Sequence, residues 1–192
     1  LGATLVVVAP DLASIYTILP AQNDKLPFDV NTDMVPIGLT AFEGLVFACS
    51  PKLGVNTLAE LIALANKNPD RYIIGTNPAG SLPHLAAKLF ADMTRTAIGV
   101  VPYSTGGTNE AIRDIMGGRV HATIEGIFGL RGHLQSGDIK LIAVMSPERD
   151  PVSPDVPTVA SIVPGVDAVG FMSLAAPAGT PAPVIERLAK AL

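Results

Sequence analysis

Short β-branched runs alternate with amphipathic segments of about a dozen residues through most of this chain, and that rhythm leaves few architectures open. Thr57 to Asn68 carries Leu58, Leu61, Ile62 and Ala65 on one face, with Thr57 and Glu60 spaced as a capping box. Ser81 to Arg95 places Leu82, Leu85, Ala86, Leu89, Phe90 and Met93 at helical spacing behind a serine suited to cap the helix. Thr108 to Met116 opens on a capping threonine and stops at Gly117-Gly118, a pair that suits a left-handed C-terminal cap. A last helix is expected to open with Thr180 and Pro181. The strand candidates between them are Thr4 to Val8, Leu45 to Cys49, Tyr72 to Ile74, Ile98 to Val101, Val120 to Ile124 and Leu141 to Val144. The pattern predicts an α/β protein with helices flanking largely parallel sheets.

Two proline-rich stretches, 19 to 36 and 147 to 165, break the rhythm and flank the regular block from Leu45 to Ser146. Such segments are expected where a chain passes between lobes or wraps a surface. The chain opens on Leu1 and runs out inside an apparent helix, so both ends are expected to be cut and the compartment is not legible from them.

Composition narrows the functional classes. Among 192 residues, 48% are hydrophobic and 16% charged, enough apolar matter for a folded core. Runs such as Leu5 to Pro10 fall far short of the roughly 20 apolar residues that cross a bilayer. A net charge of -4 without any Lys/Arg cluster argues against nucleic acid. It leaves room for an anionic ligand held by backbone N–H groups and helix N-termini. The lone Cys49 excludes an internal disulfide and reads as a small buried hydrophobe.

The stretch "IIGTNPAGSLPHLAAKLF", 73 to 90, concentrates the site candidates. A strand enters a helix through small residues, with Ser81 as N-cap and Gly80 allowing close approach to the backbone, a geometry that attracts carboxylate or phosphate. An ordinary capped turn is the plainer alternative. His84 shares its azimuth with Lys88, Ala91 and Arg95, off the stripe through Leu85 and Leu89, so a surface or supporting role comes first and ligand contact second. "VVPYSTGGTNEAIRD" repeats the form after Tyr103, and the two turns are candidates to converge on one ligand. Neither phosphate-loop nor dinucleotide spacing is present, which discounts nucleotides. In "RVHATIEGI", Glu125 stands at the strand's C-terminal end as a candidate acceptor and His121 lies below it; structural use of both is the first reading. Ser81 with His84, or Glu125 with His121, lack a G-x-S-x-G elbow, and His84, His121 and His133 lack metal-ligand spacing. These residues give no expectation of catalysis, metal or cofactor, and leave ligand binding and an ordinary capped turn both open.

Several ordered segments resemble one family: "KLPFDVNTDMVPIGL", "LAELIALANKNPDRYIIGT", "GSLPHLAAKLF", "VPYSTGGTNEAIRDIMGGRV", "SGDIKLIAVMSPERDPVSPDVPTVAS" and "LAAPAGTPAPVIERL". Together they resemble the Bug-type extracytoplasmic solute receptors of tripartite tricarboxylate transporters. The resemblance implies a type II periplasmic-binding-protein-like fold of two α/β lobes, the first incomplete here because the chain starts downstream of the family's first strand, glycine-rich loop and first helix. It implies partial lobe I and a crossover in 1–44, lobe II in 45–148, and a return to lobe I in 149–192. It also implies a periplasmic location, a small mono- or dicarboxylate as ligand, and the subunits of a cognate membrane transporter as partners. Carried over by motif, Thr76, Asn77, Gly80, Ser81 and His84 would wall the cleft from lobe II, with Tyr103, Thr105 and Glu125. Ala9, Pro10 and Ser14 would contribute from lobe I. Ser104 stands where the family commonly has a cation, and Glu125 where it commonly has aspartate. The alternative is the effector-binding domain of a bacterial transcription regulator, which a helix-turn-helix ahead of Leu1 would favour and a signal peptide would not.

Overall fold

Leu45 to Cys49 is apolar at every position, the pattern of a strand covered on both faces. In the computed structural model, which describes residues 6–8, 28–104, 107–151 and 153–192, it forms the second half of strand β2 (Met34–Cys49). Around that half stand β3 (Ile73–Thr76), β4 (Gly99–Pro102), β5 (Ala122–Gly126) and β6 (Lys140–Val144). β3 pairs in parallel with both β4 and β5, while β2 runs antiparallel to β5 and to β6. The sheet is therefore mixed, with β2 the reversed strand.

Helices α2 (Leu58–Lys67) and α3 (Leu82–Thr94) cover one face, and α4 (Gly107–Met116) and α5 (Ile127–Ser136) the other. Alternation along β2 sorts its side chains accordingly. Leu45, Phe47 and Cys49 enter the core with α2 and α3, and Val46 and Ala48 the core with α4 and α5. The Phe47 and Phe90 rings meet edge-on, 5.0 Å between centroids. Cys49 is fully buried as expected, and burial pushes its thiol up to about 11.

The chain divides into two units, Gly44–Val169 and Leu1–Glu43 with Gly170–Leu192. In the second of these, β1 (Val6–Val8) pairs antiparallel with β7 (Val169–Pro177), alongside a short helix α1 (Val30–Asp33) and a last helix α6 (Ala182–Ala189). The boundary between the two units falls at Gly170, whereas the resemblance implied a return to lobe I from 149. Residues 149–169 stay with the larger unit because their backbone is tied to β6 and its end. Val144 donates to Pro157 at 2.9 Å, Val159 to Val144 at 2.8 Å, and Ala168 to Met145 at 2.8 Å. Val159 and Val166 are fully buried there.

Other expectations shift in detail. Thr57 caps α2 by accepting from Glu60 N at 3.2 Å, but the Glu60 carboxylate accepts from Asn56 N at 2.6 Å, one residue ahead of the usual box. Thr180 does not cap α6; its hydroxyl donates to Pro177 O at 2.7 Å, and Pro181 takes the cap position. On α3 the core side is Pro83, Ala86, Ala87, Phe90 and Ala91, whereas Leu85 and Leu89 are each 39% exposed. Small residues let the helix axis approach the sheet, so the larger leucines fall on the flank. Helix α5 and strand β7 carry no sequence prediction. Two glycines inside "IFGLRGHLQS" disfavour a helix by about 1 kcal/mol each, and packing of Leu130 into the core overrides them.

Candidate functional site

Parallel pairing puts the C-terminal ends of β3, β4 and β5 on one edge of the sheet, the edge where open α/β sheets take ligands. Thr76 ends β3, and Asn77, Gly80, Ser81 and His84 follow it; Tyr103 and Thr108 follow β4; Glu125 is the last residue but one of β5. The structure thus gathers these residues of the larger unit at one edge. Ala9, Pro10, Ser14 and Thr105 lie outside the described residues.

The turn after β3 is folded onto itself. Thr76 is buried and donates to Asn77 O at 3.1 Å. Gly80 adopts φ +87°, a conformation that favours glycine, and its N–H donates to His84 Nδ1 at 3.2 Å. Ser81 N donates to Pro78 O at 3.0 Å, and Ser81 Oγ, as the predicted cap, accepts from His84 N at 3.4 Å. Pro83 has no N–H to give. The donors expected to point outward at Gly80 and Ser81 are therefore engaged within the turn.

His84 serves as a brace. Because Nδ1 accepts from Gly80, the neutral ring carries its hydrogen on Nε2. Burial, with Lys88 nearby, lowers its pKa from 6.5, and burial with Arg71 nearby does the same for His121, whose Nδ1 accepts from Ile73 N at 3.3 Å. The unfolded chain thus takes up these protons at higher pH than the folded one. Their stabilising contribution is complete above 6.5 and is lost as pH falls toward the folded values. The melting temperature is expected to drop from about pH 7 to about pH 5, and less steeply in a His84→Gln, His121→Gln double variant. An unchanged slope in that variant contradicts the assignment.

The turn after β4 is braced differently. Tyr103 N donates to Thr76 O at 3.0 Å, joining the two turns. Its hydroxyl donates to Asp114 Oδ2 at 2.6 Å, and Asp114 pairs with Arg119. Arg119 and Tyr103 hold the Asp114 carboxyl below the usual carboxylate range, while burial and Asp114 push the Tyr103 phenol up to about 12. The Tyr103 ring lies over Gly75, where an added Cβ would stand 3.0 Å from its Cε2. Sequence carries no signal for the Tyr103–Asp114 bond, which only the folded turn creates.

Thr108 was expected to cap α4. The helix instead starts at Gly107, and the Thr108 hydroxyl faces Asn77 Oδ1 at 3.3 Å and Glu125 Oε2 in a shorter contact. Glu125 Oε1 accepts from Gly126 N at 2.8 Å. Gly107 has φ +41°, and a Cβ there would stand 2.7 Å from Asn77 Oδ1. The N–H groups of Gly107, Thr108 and Asn109, the orphan donors of the first turn, have no acceptor among the described residues. They form a set of backbone donors beside the Asn77 amide, suited to an anion.

Catalytic pairing is not what these contacts provide. Ser81 Oγ meets the backbone of His84, whose ring is turned to Gly80, and His121 Nδ1 is turned to Ile73. No group of three or more His, Cys, Asp or Glu side chains suited to a metal occurs among the described residues. No helix among them is long and apolar enough to cross a membrane.

The family model described as tripartite tricarboxylate transporter family receptor matches residues 2–192. The chain belongs to this receptor family. Protein BugT of Bordetella pertussis is 34% identical to it over 162 residues, 84% of this chain and 49% of that protein. A structure from R. palustris with adipate matches with TM-score 0.83 at 29% identity, covering 96% of this chain and 60% of that one. MatC of Rhodopseudomonas palustris with bound malate matches with TM-score 0.77 at 26% identity, covering 96% and 62%. This family receptor chain spans about half the length of the curated relatives it matches. Its fold is that of the periplasmic binding proteins, as the resemblance implied, and the α/β class is the one the strand–helix rhythm predicted.

Proposed function

We propose that the chain forms the second lobe and part of the first lobe of a periplasmic receptor that captures a small organic carboxylate and delivers it to a tripartite tricarboxylate-type membrane transporter. The observation that carries this is the start of α4, where three backbone N–H groups lack a described acceptor beside Asn77. A helix start is an anion site through its N–H groups and aligned dipoles, which reconciles an anionic ligand with a net charge of -4. The relatives solved with adipate and malate support a carboxylate as the ligand class.

In this reading each part of the edge has a role. The first turn of α4 holds the carboxylate. Gly80, Ser81 and His84 keep the neighbouring turn closed so that its backbone forms a wall, and Tyr103 fixes the loop before α4 through Asp114. The resemblance assigns ligand contact to Thr105, Ala9, Pro10 and Ser14 as well. Closure of the lobes marks the loaded state for the transporter subunits. The family match favours this reading over the effector domain of a regulator.

A thermal-shift screen of mono-, di- and tricarboxylates on the intact protein tests it. Saturable stabilisation by at least one acid, following the logarithm of its concentration, is expected. No stabilisation by any acid overturns the proposal.

A further inference from the structure

Ser81 N donates to Pro78 O at 3.0 Å, which makes 78–81 a β-turn. Gly80, its third residue, has φ +87°, while Ala79 keeps a negative φ, the combination of a type II turn. In such a turn the central peptide stands across the chain, with its N–H on one side and its carbonyl on the other. Here Gly80 N–H points at His84 Nδ1, 3.2 Å away, and the Ala79 carbonyl points away from the ring. Type I differs from type II by about a half-turn of that same peptide, with the end-to-end hydrogen bond kept. Glycine in the third position passes between the two without a Cβ clash.

His84 decides which orientation is satisfied. The neutral ring offers Nδ1 as an acceptor to Gly80 N–H, whereas the imidazolium has N–H on both nitrogens and no acceptor left. We infer that protonation of His84 turns over the Ala79–Gly80 peptide: the type II turn becomes type I, and the imidazolium Nδ1–H donates to the Ala79 carbonyl that replaces Gly80 N–H. The Ser81 N bond to Pro78 O and the Ser81 Oγ cap on His84 N at 3.4 Å survive, so α3 stays in place. Ala79 is exposed, so the turned-over N–H meets water. The solvent side of the turn exchanges an acceptor for a donor, and the edge where such sheets take ligands changes polarity with the acidity of the medium.

Lys88, one turn along α3, is the charged neighbour that acts on His84 among the described residues. β3 with its turn, 73–81, and β4 with Tyr103 and Ser104 carry no ionised side chain. Tyr103 gives its phenol hydrogen to Asp114, and Glu125 of β5 takes donors from Thr108 and Gly126. Burial, with Lys88 second, lowers the pKa of His84 from 6.5, which places the turnover on the acid side of that value. His121 Nδ1 accepts from Ile73 N in the same way, but there His121 N also donates to Ile73 O at 2.9 Å and the sheet holds the peptide.

Nuclear magnetic resonance of the intact, nitrogen-15-labelled protein from about pH 8 to about pH 5 provides the test. The ring nitrogens follow His84, and amide exchange, corrected for the intrinsic rate, follows the turn. Protection of the Gly80 amide is expected to fall about tenfold as His84 titrates, the worth of one hydrogen bond, while that of Ser81 holds. His84→Asn, whose Oδ1 stands near the place of Nδ1 and does not titrate, is expected to abolish the step. Gly80→Ala disfavours the positive φ, and His84 is then expected to take up its proton at higher pH. Constant Gly80 protection through the titration overturns the inference, as does a step that survives in His84→Asn. Equal loss at Ser81 means that the turn unravels instead of turning over, and overturns it too, as does an unchanged His84 titration in Gly80→Ala. None of these readouts uses a ligand, so the switch and the receptor reading stand or fall separately.

Discussion

Replacing Phe47 with alanine lowers the unfolding free energy by about 3–5 kcal/mol. Phe47 has no solvent exposure and sits in β2 opposite Ile124 of β5 and Ala143 of β6, so its backbone is held by a strand on each side. Its ring meets Phe90 of α3 edge-on and belongs to the same core as Leu58 and Leu61 of α2. Truncation removes the contact between sheet and helix layer at a point where the surrounding strands cannot collapse into the gap. Phe128, 74% exposed at the start of α5, supplies the control, since its truncation is expected to change stability by less than about 0.5 kcal/mol. Urea unfolding followed by circular dichroism measures both. A loss below about 1 kcal/mol for Phe47→Ala would contradict the assigned core.

Gly107→Ala is expected to weaken carboxylate binding by roughly ten- to hundredfold, the worth of a hydrogen bond to a charged group at about 1.5–3 kcal/mol. Two costs coincide at this residue. Its φ of +41° lies where L side chains are strained, and the added Cβ would stand 2.7 Å from Asn77 Oδ1. Relief requires moving the Asn77 amide or turning the first peptide of α4, and either displaces groups proposed to contact the acid. Gly118, with φ +75° and no atom within 4 Å of an added Cβ, isolates the backbone cost at the far end of the same helix. Calorimetry on both variants separates the effects: affinity falls for Gly107→Ala and holds for Gly118→Ala. Equal losses at the two positions would refute a local role for Gly107.

Helices were most legible where side chains and caps agreed. Thr57 with Glu60, Ser81 before Leu82, and Gly117-Gly118 after Met116 each mark an end that the structure keeps within a residue or so. The sides of those helices were less legible. In α3 the apolar stripe read through Leu85 and Leu89, yet the alanines and Phe90 face the sheet, because distance of approach and side-chain size compete and periodicity sees only the second. Helix α5 lacks a local signal altogether, and its glycines are overruled by Leu130 in the core.

The candidate site shows the same division. That "TNPAGS" and the stretch after Tyr103 lie at one sheet edge was readable from strands leading into helices. Which N–H groups remain available was not, because Gly80, Ser81 and His84 consume one another's donors and acceptors through contacts no pattern encodes. Thr108, read as a cap, proves to join Asn77 to Glu125 across 31 and 17 residues of sequence. Motif order identified the family; only the folded turns show how its donors are distributed.

A crystal structure of the intact protein with an acid chosen from the thermal-shift screen is the most direct measurement of the central claim. The account predicts a ligand carboxylate oxygen within about 2.7–3.2 Å of the N–H of Gly107, Thr108 or Asn109, with the Asn77 amide beside the adjacent carbon. A carboxylate bound away from the start of α4, with those N–H groups left to solvent, would contradict it.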